Sequence, residues 1–266
     1  MNNKKLHKPV VVFDAGIGSY DIANRVSQAF PQQDILYFAD RASFPYGSKT
    51  KEELVSCIEN AIEFFLKFNP TAIILASNAP SILVLDLIKD NYNIPIIGVQ
   101  PPVQEALDLS KNNHIGILGV SSLIKSKEIK TFIKQWENHK GKISLIEASD
   151  LVEFVENGKF ILDENSTKEF IINKMKQLDQ NIDVFTLSST HLPWLREYFT
   201  KNFPNKEFID PAHKVIETIR PYIIEGTGNM CICASKNEKY TIADFEIMLE
   251  KLGIEGHVFS QEELSS

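Results

Sequence analysis

The sequence predicts an α/β protein in which parallel strands alternate with helices. Short runs of β-branched residues recur along the chain, and amphipathic stretches with apolar residues three and four apart separate them. Continuous apolar runs of this length are typical of strands buried on both faces of a parallel sheet. The second half of the chain repeats the rhythm of the first. We therefore predict two pseudo-symmetric lobes, each with a mostly parallel sheet flanked by helices, and a ligand cleft between them.

The individual elements follow from these two patterns. Apolar runs predict strands at residues 10–13, 35–38, 72–76, 96–99, 115–118, 143–146, 184–187, 207–209 and 230–233. Helical spacing predicts helices at residues 21–30, 51–68, 81–90, 122–136, 167–178, 192–199, 212–224 and 242–252. The Pro101-Pro102 pair and the turn at Asp210-Pro211 are natural crossovers between lobes. We place the first lobe at residues 1–99 plus 210–266 and the second at residues 100–209.

Composition excludes several classes of protein. The chain has 266 residues, of which 43% are hydrophobic and 24% charged, as in ordinary globular proteins. Its net charge of −7 comes without a basic block, so we expect no direct contact with nucleic acid. No apolar run approaches the roughly 20 residues that span a bilayer, and the N-terminal run is too short for a signal peptide. We expect a cytoplasmic protein without membrane contact.

The cysteines give no sign of a disulfide framework or a zinc site. They are Cys57, Cys231 and Cys233, an odd and low count. Alternation along a strand would point the thiols of Cys231 and Cys233 the same way, into a core. The histidines also lack metal-ligand spacing, and we expect neither a metal nor another cofactor.

The most informative residues directly follow the predicted strands, because ligands of parallel sheets bind beyond the carboxyl ends of the strands. Two of these strand ends mirror each other: residues 72–81 read AIILASNAPS and residues 184–193 read VFTLSSTHLP. Facing lobes would bring Ser77 and Ser189 to opposite sides of one cleft. Asp14, which ends the first strand, could be a base, an orienting group or a helix cap. His191 could be structural or chemical.

Two other kinds of site are weaker interpretations. Gly16-Ile17-Gly18 is a fragment of a phosphate-binding loop, but it lacks the third glycine of the dinucleotide fingerprint, so a tight strand-to-helix turn fits better. The chain also contains the residues of a Ser-His-carboxylate relay of the kind that hydrolases use. These are the serines Ser77 and Ser189, His191, and the carboxylates Asp14 and Glu156. However, no Gly-x-Ser-x-Gly elbow is present.

Several segments together resemble one known family. Residues 12–18 read VFDAGIG and resemble FDSGVGG, and residues 37–49 read YFADRASFPYGSK and resemble YFGDTARVPYGTK. The likeness continues in the same order along the chain. Residues 75–81 resemble an ACNTAS region, residues 96–99 resemble PVIGV, and residues 151–158 resemble LVPLVEEG. Residues 187–193 resemble LGCTHYP, and residues 208–210 resemble LIDSA. These are segments of the glutamate racemase family, within the aspartate/glutamate racemase superfamily. The likeness covers nearly the whole chain.

The resemblance implies two α/β lobes, cofactor-free racemisation of glutamate and a role in supplying D-glutamate for peptidoglycan. In the family, two cysteines on opposite faces of the α-carbon exchange its proton. The matching catalytic positions here are Ser77, Ser189, Asp14, His191 and Glu156. Asp14 would assist the first of the two cysteine positions, and Glu156 and His191 the second. The matching substrate-binding positions are Ala15, Pro45, Tyr46, Gly47, Asn78, Ala79, Val120 and Thr190.

The sequence departs from the family at the reacting groups themselves. Serines occupy both catalytic cysteine positions, and Ala15, Ala79, Val120 and Leu123 replace residues whose hydroxyl groups bind the amino acid in the family. We therefore predict a racemase-like protein that has lost two-cysteine racemisation and keeps a cleft for a small carboxylate or other ligand. The alternative is a working racemase, with serines introduced in place of cysteines or another base substituting. An interaction protein is a third hypothesis, since some family members bind DNA gyrase, and a homodimer stays open.

Overall fold

The computed structural model describes residues 6–136 and 141–265. The strands are β1 (Val10–Asp14), β2 (Ile35–Ala39), β3 (Ala72–Leu75), β4 (Ile96–Gly98), β5 (His114–Gly119), β6 (Lys142–Glu147), β7 (Val184–Leu187), β8 (Glu207–Ile209), β9 (Met230–Ala234) and β10 (Val258–Ser260). The helices are α1 (Tyr20–Ala29), α2 (Lys51–Leu66), α3 (Asn78–Leu83), α4 (Leu85–Ile88), α5 (Val103–Leu109), α6 (Ser121–Ile124), α7 (Lys127–Ile133), α8 (Ser149–Glu156), α9 (Lys159–Leu162), α10 (Glu164–Lys176), α11 (Arg196–Asn202), α12 (Ala212–Ile219), α13 (Ile242–Lys251) and α14 (Gln261–Ser265).

The strands form two parallel sheets, which confirms the predicted fold class. The first sheet has the order β10-β9-β2-β1-β3-β4, and the second has the order β6-β5-β7-β8. Each pair of neighbouring strands is parallel. Residues 114–209 supply the strands of the second sheet. The limits of the lobes at residues 99, 100, 209 and 210 stay a prediction.

Both faces of the first sheet are covered, which explains why its strands are continuously apolar. In β1, Val10 and Val12 pack into one core cluster, and Val11 and Phe13 pack into the cluster on the other face. All four side chains are fully buried. The second sheet is built in the same way, because Ile115 and Leu118 of β5 belong to different clusters on its two faces.

Three of the predicted helices are interrupted in the structure. The predicted helix at 81–90 divides into α3 and α4 at Val84, whose φ of −137° and ψ of −10° lie outside the α-helical region. The predicted helix at 122–136 divides into α6 and α7, because the Ser126 side chain caps a new helix by accepting from the Ile129 amide. The predicted helix at 192–199 begins as a 3₁₀ helix over Leu192–Leu195.

The short strand β10 and the helices α5, α8, α9 and α14 were not among the predicted elements. Within the described ranges, none of the helices combines the length and the apolar character that a membrane span needs.

Candidate active site

A cavity of about 130 Å³ lies where the carboxyl ends of the strands of the two sheets meet. Residues that follow β1, β2 and β3 line it from the first sheet, and residues that follow β5 and β7 line it from the second. Every predicted substrate-binding position is part of this lining: Ala15, Pro45, Tyr46, Gly47, Asn78, Ala79, Val120 and Thr190. Four of the predicted catalytic positions also line the cavity: Asp14, Ser77, Ser189 and His191.

The two serines stand on opposite lobes. Ser77 follows β3 and is half-buried, whereas Ser189 follows β7 and is only 7% exposed. The backbone carbonyl of Ser77 accepts the first hydrogen bonds of α3, from the amide and hydroxyl groups of Ser81. The structure therefore brings both mirrored strand ends to one cavity. The chemical roles of the two serines stay predictions.

Asp14 is the buried carboxyl group of the cavity. One of its oxygens accepts a hydrogen bond from the Ala15 amide at 2.7 Å, and the other accepts one from the Thr190 hydroxyl at 3.3 Å. Burial raises the pKa of Asp14 from 3.8 to about 6, against the opposing effects of His191, the Ala15 amide and the Ser77 hydroxyl. Asp14 thus changes charge close to neutral pH, in contact with both lobes.

Glu156 lies behind His191 rather than in the lining. Its Oε2 is 2.7 Å from Nε2 of His191 and accepts a hydrogen bond from the Ile17 amide at 3.2 Å. Burial alone would raise the pKa of Glu156, but the hydrogen bond and charge of His191, together with Arg41, hold that pKa below its usual value. The carboxylate therefore orients the imidazole of His191.

Arg41 completes this arrangement from the first lobe, and the sequence interpretation missed it. Its Nη1 is 2.5 Å from Oε1 of Glu156 and also donates to the carbonyl of Ala15 at 3.2 Å. The guanidinium group lies over the rings of Phe44 and Tyr240, at 4.6 and 4.9 Å from their centroids. Arg41 comes two residues after the end of β2, but its partner Glu156 lies 115 residues further along the chain, so the sequence did not point to the pair.

Gly16 and Gly18 allow the two lobes to touch. A Cβ atom on Gly18 would lie 2.6 Å from the backbone nitrogen of His191, and one on Gly16 would lie 2.7 Å from Cε1 of that histidine. The indole Nε1 of Trp194 also donates to the carbonyl of Gly18 at 3.3 Å. These glycines therefore serve a close approach between lobes, where the sequence alone indicated only a tight turn.

Asp40 holds the edge of the cavity that carries Tyr46. It accepts hydrogen bonds from the Tyr46 hydroxyl at 2.9 Å and from the Ser235 hydroxyl at 2.7 Å. Burial raises the pKa of Tyr46 well above its usual value, so the phenol stays protonated and donates. Phe44, Gly16, Pro80, Val152 and Ser188 complete the lining.

The cysteine thiols lie elsewhere. Cys231 and Cys233 are on β9, and both side chains belong to a core cluster of the first sheet, as the alternation predicts. Burial raises the pKa of Cys233 well above its usual value, which disfavours a thiolate. Over residues 6–136 and 141–265, no group of three or more His, Cys, Asp or Glu side chains is placed to hold a metal ion.

Comparison with known sequences decides the family. The glutamate racemase of Clostridium botulinum (strain Alaska E43 / Type E3) is 32% identical over 226 residues, covering 84% of this chain and 81% of the relative. The chain belongs to the glutamate racemase family. The glutamate racemase of Fusobacterium nucleatum subsp. nucleatum is 29% identical over 208 residues, covering 77% of each chain. No protein-family model matches the chain.

Solved structures of glutamate racemases share the two-lobe fold. The Escherichia coli enzyme in complex with L-glutamate and the activator UDP-MurNAc-ala has a TM-score of 0.81 at 19% identity, over 95% of this chain and 98% of that one. The isoform RacE1 from Bacillus anthracis has a TM-score of 0.78 at 23% identity, over 96% and 97% of the two chains. At these identities the likeness concerns the fold.

Proposed function

We propose that this member of the glutamate racemase family binds a small amino-acid-type carboxylate between its lobes and does not racemise it by the two-thiol route. The observation that supports this most directly is the pair of serines at the two positions that match the family's catalytic cysteines. Both Ser77 and Ser189 line the cavity that Asp14, His191 and the predicted substrate-binding residues also line.

The chemical reason is the difference between a hydroxyl and a thiol. A thiol can ionise close to neutral pH when its neighbours assist, whereas a serine hydroxyl stays protonated there and is a poor base toward a proton on carbon. Among the residues that the structure describes, no cysteine lines the cavity. A proton on an unactivated α-carbon would therefore meet no thiolate on either side.

Ligand binding remains supported because polar partners for an amino acid are still in place. Asp14 can accept from an ammonium group, and Oδ1 of the buried Asn78 has no hydrogen-bond partner in the described part of the chain. Buried acceptors are normally satisfied, so a donor from a ligand fits there. Two structural neighbours, from Escherichia coli and Francisella tularensis, are in complex with L-glutamate and D-glutamate respectively.

A second candidate is a working racemase in which another group replaces a thiolate. One observation favours it: the pKa of Asp14 is raised to about 6, so this carboxylate is a stronger base than an exposed one. Asp14 lines the same cavity as both serines. Its opposite proton donor would have to come from the second lobe, where His191 is held by Glu156.

Circular dichroism of free glutamate separates the two candidates. The full chain is incubated with D-glutamate or L-glutamate near neutral pH, and the ellipticity of the amino acid is followed over hours. The glutamate racemase of Clostridium botulinum serves as the positive control. We expect no change above buffer with this chain, and steady loss of ellipticity would establish the working racemase instead.

A further inference from the structure

The backbone crosses between the two lobes at one end of the surface where they meet, which we call the seam. It leaves the first sheet after β4 and returns to it after β8, and each of these is an edge strand of its own sheet. Pro101 and Pro102 of the first crossing and Pro211 of the second line one surface groove. The two crossings therefore lie side by side, and this end of the seam is a natural hinge.

The ion pair between Arg41 and Glu156 lies toward the other end of the seam. Arg41 follows β2, which is three strands in from β4 and thus roughly 14 Å across the sheet from it. Glu156 ends α8, the helix that follows β6, and β6 is the edge strand opposite β8. A rotation of the lobes about the two crossings would therefore pull this pair apart.

Each charge of the pair is held on its own lobe and finds its counter-charge across the seam. Arg41 donates to the carbonyl of Ala15 on the first lobe. Glu156 bonds to the imidazole of His191 on the second lobe. Over the described residues, no carboxylate other than that of Glu156 lies within ion-pair distance of Arg41. A buried charge without its counter-charge is costly, so the closed form needs both groups.

We infer that the Arg41–Glu156 pair is a latch, whose two charges match when the lobes are closed and separate when the cavity opens. The motif that residues 37–49 resemble has threonine at the position of Arg41, so the latch is a feature of this chain that the resemblance does not imply. Passage of a ligand through the open form rests on the proposed function. The latch itself does not, and its test needs no ligand.

Single and double charge removals should have opposite effects on opening. Arg41→Met leaves Glu156 buried without its counter-charge in the closed form, and Glu156→Gln does the same to Arg41. Opening of the lobes hydrates the unmatched charge, so each single variant should populate the open form more than the wild type does. The double variant buries neither charge, and its lobes should close again.

A thiol placed in the cavity measures this opening. Ala79 lines the cavity, is 6% exposed and packs with Leu123 of the second lobe. Ala79→Cys is therefore introduced into every variant, and 4,4′-dithiodipyridine, a neutral two-ring reagent too large for a cavity of about 130 Å³, labels the new thiol. Mass spectrometry assigns the labelled positions. We expect labelling about tenfold or more faster in each single variant, and within about threefold of the Ala79→Cys parent in the double variant.

Two controls separate opening from other causes of labelling. Cys233 is fully buried on β9, so it reports global unfolding, and its labelling should stay slow in all variants. Lys51→Met breaks another pair that crosses the seam, with Glu128, but both of these side chains are partly exposed. Because an exposed pair contributes little, Lys51→Met should leave the labelling rate of the cavity thiol unchanged.

Three results would overturn the latch. The first is an unchanged rate in a folded single variant, and the second is a rise that Cys233 or Lys51→Met shows equally. The third is a double variant as fast as the single ones, because charge matching would then not be the cause. If one single variant does not fold, the other and the double variant give the same decision. Failure of the latch leaves the proposed function standing, since no ligand is present in the assay.

Discussion

Arg41 and Glu156 form a buried ion pair that joins the two lobes, with 2.5 Å between Nη1 and Oε1. The two residues are 115 positions apart in the chain, and their side chains are only 6% and 8% exposed. The second carboxylate oxygen of Glu156 bonds to Nε2 of His191. The arginine of one lobe therefore fixes, through one carboxylate, the histidine that lines the cavity from the other lobe.

Replacing Arg41 by methionine should destabilise the protein strongly. The substitution keeps an apolar stem but leaves Glu156 buried with a single remaining partner side chain, at a cost of about 3–5 kcal/mol. Urea unfolding of the wild type and of Arg41→Met measures it. The control is Lys51→Met, which breaks the half-exposed pair with Glu128 and should cost no more than about 1 kcal/mol. Equal losses in the two variants would contradict a structural role for the Arg41–Glu156 pair.

The raised pKa of Asp14 predicts a specific pH dependence of stability. Folding raises this pKa from 3.8 to about 6, so the folded state holds the proton more tightly than the unfolded state. The wild type should thus lose stability as the pH rises from about 4 to 6, by about 3 kcal/mol from this group alone. Asp14→Asn cannot ionise and escapes that loss.

Urea unfolding of wild type and Asp14→Asn at pH values below and above this window measures the effect, because groups distant from Asp14 titrate alike in both proteins. The free energy of unfolding of the variant, relative to that of the wild type, should rise between about pH 4 and pH 7 and stay constant at higher pH. A constant difference between the two proteins across the window would mean that Asp14 is not buried as described.

Gly18→Ala tests the close approach of the lobes. The added methyl carbon would lie 2.6 Å from the backbone nitrogen of His191, and backbone cannot move aside easily. We expect a loss of about 1–3 kcal/mol in the free energy of unfolding, together with weaker ligand binding. In Gly47→Ala the nearest atom to the new carbon would be Oγ of Ser122, at 3.1 Å, and relieving this side-chain contact needs a smaller shift than the backbone contact at Gly18. A thermal midpoint for Gly18→Ala no lower than that of Gly47→Ala would contradict the close contact.

Much of the fold could be predicted from the apolar pattern of the sequence, because buried parallel strands such as β1 and β3 consist of continuous apolar residues. The prediction was wrong where a local interaction ended a helix, as at Ser126, whose side chain caps α7. The strand β10 (Val258–Ser260) was missed because only two of its three residues, Val258 and Phe259, are apolar. Its place beside β9 comes from tertiary packing.

The candidate site was predictable to the extent that it follows strand ends. Asp14, Ser77 and Ser189 each end or directly follow a strand, and parallel topology brings such positions together. Arg41 could not be assigned in this way, because its partner Glu156 comes from the other lobe. Local sequence does not reveal a pairing across 115 residues.

Cysteines at the two serine positions should not restore efficient racemisation of glutamate by themselves. Ser77→Cys with Ser189→Cys supplies the thiols, but Ala15 and Ala79 still lack the hydroxyl groups that the family resemblance implies at these positions. If the α-carbon is not held between the two thiols, much of the rate gain from placing the reacting groups close together is lost. Adding Ala15→Ser and Ala79→Thr should raise the racemisation rate at least about tenfold over the double variant. If the double variant were as active as the Clostridium botulinum relative, the two serines alone would account for the loss of racemisation, which would contradict this prediction.

This chain has the glutamate racemase fold, and we predict that it transfers no proton at the α-carbon of glutamate. Exchange of the α-proton of L- and D-glutamate for deuterium in D₂O, followed by proton NMR, tests it most directly. This measurement detects removal of the proton by a single base, such as Asp14, even when no inversion follows. We predict exchange at the rate of the buffer for both enantiomers. Exchange of either enantiomer well above that rate, abolished by Asp14→Asn, would contradict the account.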